Sequence, residues 1–255
     1  MNENKEILED NLDYIDPHFL VDEDKFNKLE SFFIVLGVVF NDLKGLIFFE
    51  DMVIATYKNP GFEEITAQAG NYAGMMVQIN KLFAGIISEF FIFLGEYKNI
   101  FNTQEFKDIL EKISKTDKNY WSEIVAVIDG KHPGSNSLRT TIFEIRNNAA
   151  FHFDHSGKFS RNGYASHFFG KNKDDKSSRA YYSIGEGIRS TRFYFSDAAV
   201  EAAIKIAAGM EPKGDVANDP AFNRYKAQIR EVIDVTARVT ASLLKQYIKA
   251  RRIRS

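Results

Sequence analysis

Two long apolar stretches with helical spacing constrain the fold of this chain most strongly. Between residues 22 and 58, large apolar side chains recur every three or four positions, which places them on one face of an α-helix. They are Phe26, Leu29, Phe33, Leu36 and Phe40. A second stretch covers residues 62–97, and its part LFAGIISEFFIFLGEY is apolar on nearly all sides. The sequence therefore predicts two long helices, the second of them central in a helical protein.

The rest of the chain continues this helical pattern. Shorter helices are predicted at 104–114 and 119–129, separated by a Gly- and Pro-containing loop at 129–137 from a further helix at 137–153. Ser196 and Asp197 are typical of a helix N-terminus, so we expect a helix from 196 to about 208. A last helix is predicted at 220–251. The fold class that follows is all-α, a helical bundle with long antiparallel helices.

Small residues stand out in the second long stretch. Their short side chains allow another helix to approach closely, and four of them are adjacent or one turn apart. They are Ala69, Gly70, Ala73 and Gly74.

The polar segments define the predicted domain organisation. Residues 1–21 are acidic and are expected to form a loosely ordered leader, followed by a single helical domain over 22–255. Within this domain, residues 154–180 are rich in Gly, Ser and Lys and are predicted to be a long loop. Aromatic and β-branched residues on both sides of GEG at 185–187 favour a short hairpin over 181–195. The predicted loop and hairpin together form an insertion near residues 154–195.

Composition excludes several classes of protein. The 255 residues contain no cysteine, which excludes disulfides, thiolate zinc sites and cysteine nucleophiles, and fits a reducing compartment. The net charge of −2 means that any nucleic-acid site must come from local clusters of Lys and Arg. The longest unbroken apolar run, residues 32–40, is roughly half of the ~20 residues that a membrane span needs. The acidic N-terminus lacks the features of a signal peptide, so we expect a cytoplasmic protein with no membrane contact.

The stretch FEIRNNAAFHFDH, residues 143–155, carries the most informative polar side chains. On a regular helix, apolar residues form one narrow stripe, made of Leu138, Ile142, Ile145 and Ala149. Arg146 then lies roughly 70° to one side of the stripe and His152 roughly 50° to the other, about 9 Å apart along the axis. A second copy of the helix, packed antiparallel across the stripe, would set the Arg of one copy near the His of the other.

This stretch resembles the motif of the HEPN superfamily. In that family an arginine is followed by a polar residue, usually Asn, Asp or His, and then by a histidine after four to six intervening residues. Here the motif is Arg146-Asn147-Asn148-Ala149-Ala150-Phe151-His152, with five intervening residues and Asn directly after the Arg. The resemblance covers about 20 residues closely and the all-α pattern loosely. HEPN domains are often shorter than this chain, so the 154–195 insertion and the long C-terminal helix are additions.

The resemblance implies a function. HEPN domains are helical bundles that commonly dimerise, and many are metal-independent endoribonucleases of toxins and antiviral defence systems. It implies that Arg146 and His152 are catalytic, that Asn147 supports them, and that no cofactor is needed. RNA would be the substrate, a homodimer would form across the 138–153 helix, and an antitoxin or other regulatory protein would be a further partner.

The same chemistry is plausible from the residues alone. When RNA is cleaved by its own 2′-OH, a base takes the hydroxyl proton, an acid protonates the leaving oxygen, and a cation stabilises the charged phosphorane. Histidine performs either proton transfer near neutral pH, and arginine binds phosphate oxygens with two parallel donors. The expected product is a 2′,3′-cyclic phosphate.

Basic residues in the predicted insertion are candidates for RNA binding. They are Lys158, Arg161, Lys171, Lys173 and Arg179. Aromatic residues between them suit stacking on single-stranded bases, namely Phe159, Tyr164, Phe168 and Phe169. The alternative interpretation is a solvated loop with no ligand.

Other interpretations of the motif remain open. Arg146 could pair with an acidic residue of a neighbouring helix, and His152 could be favoured by its place near a helix C-terminus. The chain would then be a non-catalytic module that binds a nucleotide or a protein. His152, Asp154 and His155 have no spacing typical of a metal site, so no metal is expected.

Overall fold

Residues 15–21, 27–58, 66–130, 142–143, 145–147, 158–169, 179–188, 191–211 and 220–252 are described by the structure, a computed structural model. They are mostly helical. The helices are α1 (Pro17–Leu20), α2 (Lys28–Tyr57), α3 (Ala67–Glu96), a 3₁₀ turn (Lys98–Asn102), α4 (Gln104–Glu111), α5 (Lys115–Ile128), α6 (Lys158–Phe168), α7 (Tyr194–Ala207) and α8 (Pro220–Arg252). Over these residues the β-structure is limited to one antiparallel bridge, Ser183 with Arg192. The predicted all-α helical bundle is confirmed.

The two long helices begin at capping side chains. Asn27 accepts a hydrogen bond from the Leu29 amide at 2.9 Å, and Thr66 accepts one from the Ala69 amide at 3.1 Å. Both caps satisfy amides that have no partner inside the helix. The helices therefore start a few residues later than their apolar periodicity predicted. At the other end of α2, Lys58 adopts a left-handed conformation (φ 51°) that stops the helix.

An aromatic cluster forms the centre of the core where α2, α3, α4 and α8 meet. Phe32 of α2 is fully buried and stacks on Phe93 of α3 with ring centroids 5.3 Å apart. Its neighbour Phe33 stacks on Tyr247 of α8 at 4.1 Å. Rings of this size bury a large apolar area each, which is how a chain with 23 phenylalanines holds its helices together.

Ion pairs attach α8 to the helices around it. Arg251 binds Glu30 of α2 at 3.1 Å and Glu105 of α4 at 3.4 Å. Arg230 pairs with Glu50 of α2. Because Glu30 is almost fully buried, removing the Arg251 cation would weaken the compensation of a buried carboxylate charge. These pairs fix the register of α8 along the bundle.

A further ion pair joins α8 to α5. Asp117 of α5 accepts hydrogen bonds from Arg238 at 2.7 Å and from Ser242 at 2.8 Å, both on α8. Burial alone would raise the pKa of Asp117. The hydrogen bonds from Ser114, Ser242 and Arg238 together with the charge of Arg238 outweigh burial, so that its pKa lies below the ordinary value.

The end of the acidic leader packs on the bundle. Asp16 caps the single turn of α1, and the Tyr247 hydroxyl donates to the Leu20 carbonyl at 2.6 Å. Residues 15–21, the end of the predicted leader, thus contact α8 through this hydrogen bond. Residues 1–14 lie outside the described residues.

Part of the predicted loop at 154–180 is a helix. Residues Lys158–Phe168 form α6, which packs along α7. A Cβ at Gly163 would lie 2.0 Å from the Ala199 carbonyl oxygen and 2.8 Å from the Ala203 amide nitrogen of α7. The Gly- and Ser-rich composition that predicted a loop here instead allows two helix backbones to touch. Further along, the described residues of the predicted hairpin at 181–195 form the Ser183–Arg192 bridge, and the Phe195 amide donates to the Tyr181 carbonyl at 3.1 Å.

The small residues of α3 receive side chains of the segment that leads into α7. A Cβ at Gly70 would lie 2.6 Å from the Tyr194 ring, and one at Gly74 would overlap the Arg192 guanidinium. At these positions side chains, and not the backbone of another helix, occupy the space that the small residues leave. Arg192 donates to Asp197 at 2.9 Å. Asp197 does not cap the helix as predicted, because α7 begins earlier, at Tyr194, without a side-chain cap.

Two helices, α2 and α3, are long and apolar enough to cross a membrane by length and composition. Core helices of soluble proteins satisfy the same criterion. In α3, 56% of the most apolar window is buried against the rest of the protein, whereas in α2 only 22% is buried. The described part of the chain thus leaves an apolar face of α2 exposed.

Candidate functional site

The segment that carries the motif packs on the core through two isoleucines. Ile142 and Ile145 are each only 2% exposed and belong to the main hydrophobic cluster. They are two members of the predicted apolar stripe, and their burial is confirmed. The other two members, Leu138 and Ala149, lie outside the described residues. Arg146 and Asn147 follow the buried Ile145 directly, so the core fixes the position of their backbone.

Arg146 is held on two sides by side chains. Its Nε and Nη2 both donate to Glu89 Oε1 of α3, at 2.9 and 2.5 Å, and its Nη1 donates to Asn147 Oδ1 at 2.8 Å. Three of the five N–H groups of an arginine are engaged in these bonds. The guanidinium is therefore oriented before any ligand binds.

The site remains open to solvent. The side chain of Arg146 is 22% exposed and that of Glu89 is 51% exposed, and Asn147 is exposed as well. An ion pair this exposed is screened by water, so it adds little to the free energy of unfolding. Further N–H groups on Nη1 and Nη2 and the amide of Asn147 can donate to an anion, and phosphate oxygens are the anions that arginine binds best.

The backbone at the motif departs from a regular α-helix. Residues Arg146 and Asn147 are π-helical, and such single wide turns occur frequently at functional sites. A wide turn also changes the angular phase of every residue after it. The angle predicted for His152 assumes regular helical geometry, and His152 itself lies outside the described residues.

The predicted RNA-binding residues fall on different elements. Lys158 and Arg161 are exposed and lie one turn apart in the first turn of α6. Arg179 is exposed just before the segment that forms the Ser183 bridge. Lys171 and Lys173 lie outside the described residues. Lys158 and Arg161 share a helix face, and this is the only grouping of predicted basic residues that the described positions establish.

Most aromatic residues proposed for base stacking serve the fold instead. Phe168 is buried, Phe159 packs against the core, and Tyr164 contacts Phe168 and Phe195 at ring distances of 4.6 and 6.4 Å. Phe169, at 64% exposed, is the one of the four that presents its ring to solvent. The predicted stacking surface is therefore wrong for Phe168 and reduced to Phe169.

Glu89 is the residue that the sequence prediction did not name. The prediction allowed Arg146 an acidic partner on a neighbouring helix, and the structure identifies it. A signal existed, because Glu89 is the single charged residue between Lys81 and Glu96 in an otherwise apolar run. A lone carboxylate in a core helix needs a cation or solvent nearby.

The described residues contain no group of three His, Asp or Glu side chains that could hold a metal ion. Comparison with protein-family models, curated proteins and solved structures found no match to this chain. The functional assignment therefore rests on the motif and on the geometry around Arg146.

Proposed function

We propose that this protein is a metal-independent endoribonuclease of HEPN type, which acts through Arg146 and His152 with support from Asn147. The observation that carries the proposal is the oriented guanidinium of Arg146. It is anchored by Glu89 and Asn147, partly exposed, and set in a wide helical turn. Such preorganisation of a cation is what charge stabilisation in a transition state needs.

The chemistry assigns each group a role. The 2′-OH attacks the adjacent phosphorus, the bond from phosphorus to the 5′ oxygen breaks, and the hydroxyl proton passes by way of His152 to the leaving 5′ oxygen. Arg146 neutralises the charge that develops on the phosphoryl oxygens. Asn147 fixes the guanidinium through its Oδ1. The products are a 2′,3′-cyclic phosphate and a 5′-hydroxyl, which balance without a metal or an added reactant.

The wider setting belongs to the same proposal. The site is completed by a second copy across the 138–153 helix, in the cytoplasm, with RNA as substrate. Lys158, Arg161, Lys171, Lys173 and Arg179 bind phosphates along the strand. Activity of this kind in a defence or toxin setting calls for an antitoxin or another regulatory protein to restrain it.

The test is RNA cleavage in the presence of EDTA. Wild type should cut a mixed-sequence RNA and leave cyclic phosphate ends, whereas Arg146→Ala and His152→Ala should lose at least about a hundredfold in rate. Circular dichroism should show both variants folded. His155→Ala is the matched control, since it removes a neighbouring histidine and should retain activity. If the Arg146 and His152 variants cut at the wild-type rate, the proposal is wrong.

One observation favours a second candidate, a non-catalytic helical module. The Arg146–Glu89 ion pair joins the motif segment to α3 and would serve as a structural link on its own. In that case Arg146→Ala and Glu89→Ala lower the free energy of unfolding, the double variant loses no more than either single one, and wild type shows no cleavage. RNA cleavage by wild type separates the two candidates, and a double-mutant cycle by urea unfolding measures how much the ion pair contributes to stability.

A further inference from the structure

The exposed face of α2 carries a regular repeat. Seven exposed residues follow one another in alternating steps of four and three positions, which is the spacing of a coiled-coil seam. This α2 seam consists of Ile34, Val38, Asn41, Gly45, Phe48, Met52 and Ala55. It runs along most of the helix, on the side away from the buried residues that face α3 and α8.

The four large members of the α2 seam are unusually exposed for apolar residues in a row. Ile34, Val38, Phe48 and Met52 are between 49% and 53% exposed. Isolated apolar residues on a surface are ordinary, but two exposed apolar pairs on one helix face, separated by Asn41 and Gly45, favour an interaction site. The stripe is as narrow as the contact that one further helix makes.

Gly45 at the middle of the seam packs against no described residue of its own chain. Among the described residues, no atom lies within 4 Å of the position that a Cβ would take there, in contrast to Gly70 and Gly74, which receive side chains. A glycine in the interior of a helix lowers its stability relative to alanine. A partner that packs a large side chain against this position would explain it.

We propose that the α2 seam pairs with the α2 seam of a second copy of this chain, antiparallel, about a two-fold axis between residues 46 and 47. In this register Phe48 of each copy faces Gly45 of the other, so that a large side chain fills the space over a small one. Val38 faces Ala55, and Asn41 faces Met52. The proposal is independent of the nuclease, since it involves neither the motif nor its helix.

Charges beside the seam select this register. Lys44 and Asp51 are both exposed and flank the seam on the same side. In the proposed register Lys44 of each copy lies opposite Asp51 of the other, which gives two interchain ion pairs. With the axis half a repeat away, near residue 43, Lys44 would face Lys44 and Asp42 would face Asp42. A parallel pairing would set Gly45 against Gly45 and leave a void.

A second copy suits this surface better than a bilayer does. Asp42 and Lys44 lie at the middle of α2 and are exposed, so a membrane-spanning α2 would place both at the centre of the hydrocarbon, where charges are costly. Between two protein helices the same charges stay at the solvated edge of the seam.

The test is a charge exchange followed by light scattering after size-exclusion chromatography. At about 100 µM, where a micromolar complex is formed, Lys44→Asp or Asp51→Lys alone should halve the mass of the wild-type assembly, because each creates two like-charge pairs. An equimolar mixture of the two variants should restore the mass, because each copy then offers the charge that the other needs. The double variant should restore it as well. Circular dichroism should be unchanged in all of them.

Several outcomes would overturn the proposal. The wild type could run as a monomer, both single variants could keep its mass, or the mixture could fail to recover. A dimer that survives both variants would use another surface, such as the 138–153 helix. A bilayer would be the occupant of the seam if two results came together. The wild type and both variants would be monomeric without lipid, and all three would float equally with phosphatidylcholine–phosphatidylglycerol vesicles.

Discussion

At the scale of single residues, the sequence identified Arg146 as a candidate site residue but did not predict which residues surround it. The motif marks Arg146 by its distance from His152, which is a property of the chain alone. Glu89 lies 57 positions earlier and meets Arg146 only through the packing of the motif segment on α3. Sequence spacing carries no information on such a contact. The wide turn at Arg146 and Asn147 escaped prediction for a related reason, since helical periodicity assumes regular geometry.

Glu89→Ala should separate orientation from charge at this site. Without Glu89 the guanidinium loses two of its hydrogen bonds and samples more positions, so the rate constant for RNA cleavage should fall by about tenfold or more while KM changes little. The unfolding free energy should drop by less than about 1 kcal/mol, because the pair is partly exposed.

Steady-state cleavage kinetics measure the rate constant and KM of Glu89→Ala, and urea unfolding measures its free energy of unfolding. Glu96→Ala, which removes an exposed carboxylate at the end of the same helix, is the control and should match wild type. If Glu89→Ala cuts at the wild-type rate, Glu89 does not position Arg146 for catalysis.

At the scale of elements, periodicity predicted the long helices well and the short polar one poorly. Residues of α2, α3 and α8 keep apolar side chains every three or four positions, and these helices lie where they were expected. The sequence of α6 is polar and contains Gly163, features that are typical of loops. In the structure the glycine is a packing residue against α7, and only the three-dimensional contact distinguishes these two uses of glycine.

Gly163→Ala should destabilise the protein by about 1–3 kcal/mol. The added methyl group would overlap the backbone of α7, which a rotamer change cannot relieve, so α6 and α7 must move apart. The midpoint of urea unfolding measures the effect. Gly95→Ala in α3 is the matched control, because no atom lies within 4 Å of its new Cβ, and it should be neutral or slightly stabilising. Equal midpoints for the two variants would refute the close packing of α6 on α7.

At the scale of the whole molecule, ion pairs attach α8 to the other helices, and their partners could not be identified from the sequence. Its basic residues reach α2, α4 and α5. Composition showed nearly balanced charge, with 33 basic and 35 acidic residues. The choice of partners depends on which helices become neighbours, and that depends on tertiary packing.

The ion pair between Asp117 of α5 and Arg238 of α8 should make the free energy of unfolding fall as the pH drops below the ordinary pKa of an aspartate. The pKa of Asp117 is lowered in the folded state. Its stabilising contribution is thus fully present above the unfolded pKa and is lost as the pH falls through the folded one. Urea unfolding between about pH 5 and pH 2 should show a steeper loss for wild type than for Asp117→Asn. Glu123→Gln, an exposed change on the same helix, should keep the wild-type slope. Parallel curves for wild type and Asp117→Asn would contradict the assignment.

The central claim is that Arg146 of one copy and His152 of the other form a shared, metal-independent site that cleaves RNA, so that a dimer has two such sites. The most direct measurement uses a heterodimer of Arg146→Ala and His152→Ala chains, coexpressed with different tags, purified on both, and assayed in EDTA. If the site is shared across a two-fold axis, one of its two sites is intact and the heterodimer should recover about half of the wild-type rate, while each parent homodimer stays inactive. A heterodimer as inactive as its parents would contradict the claim.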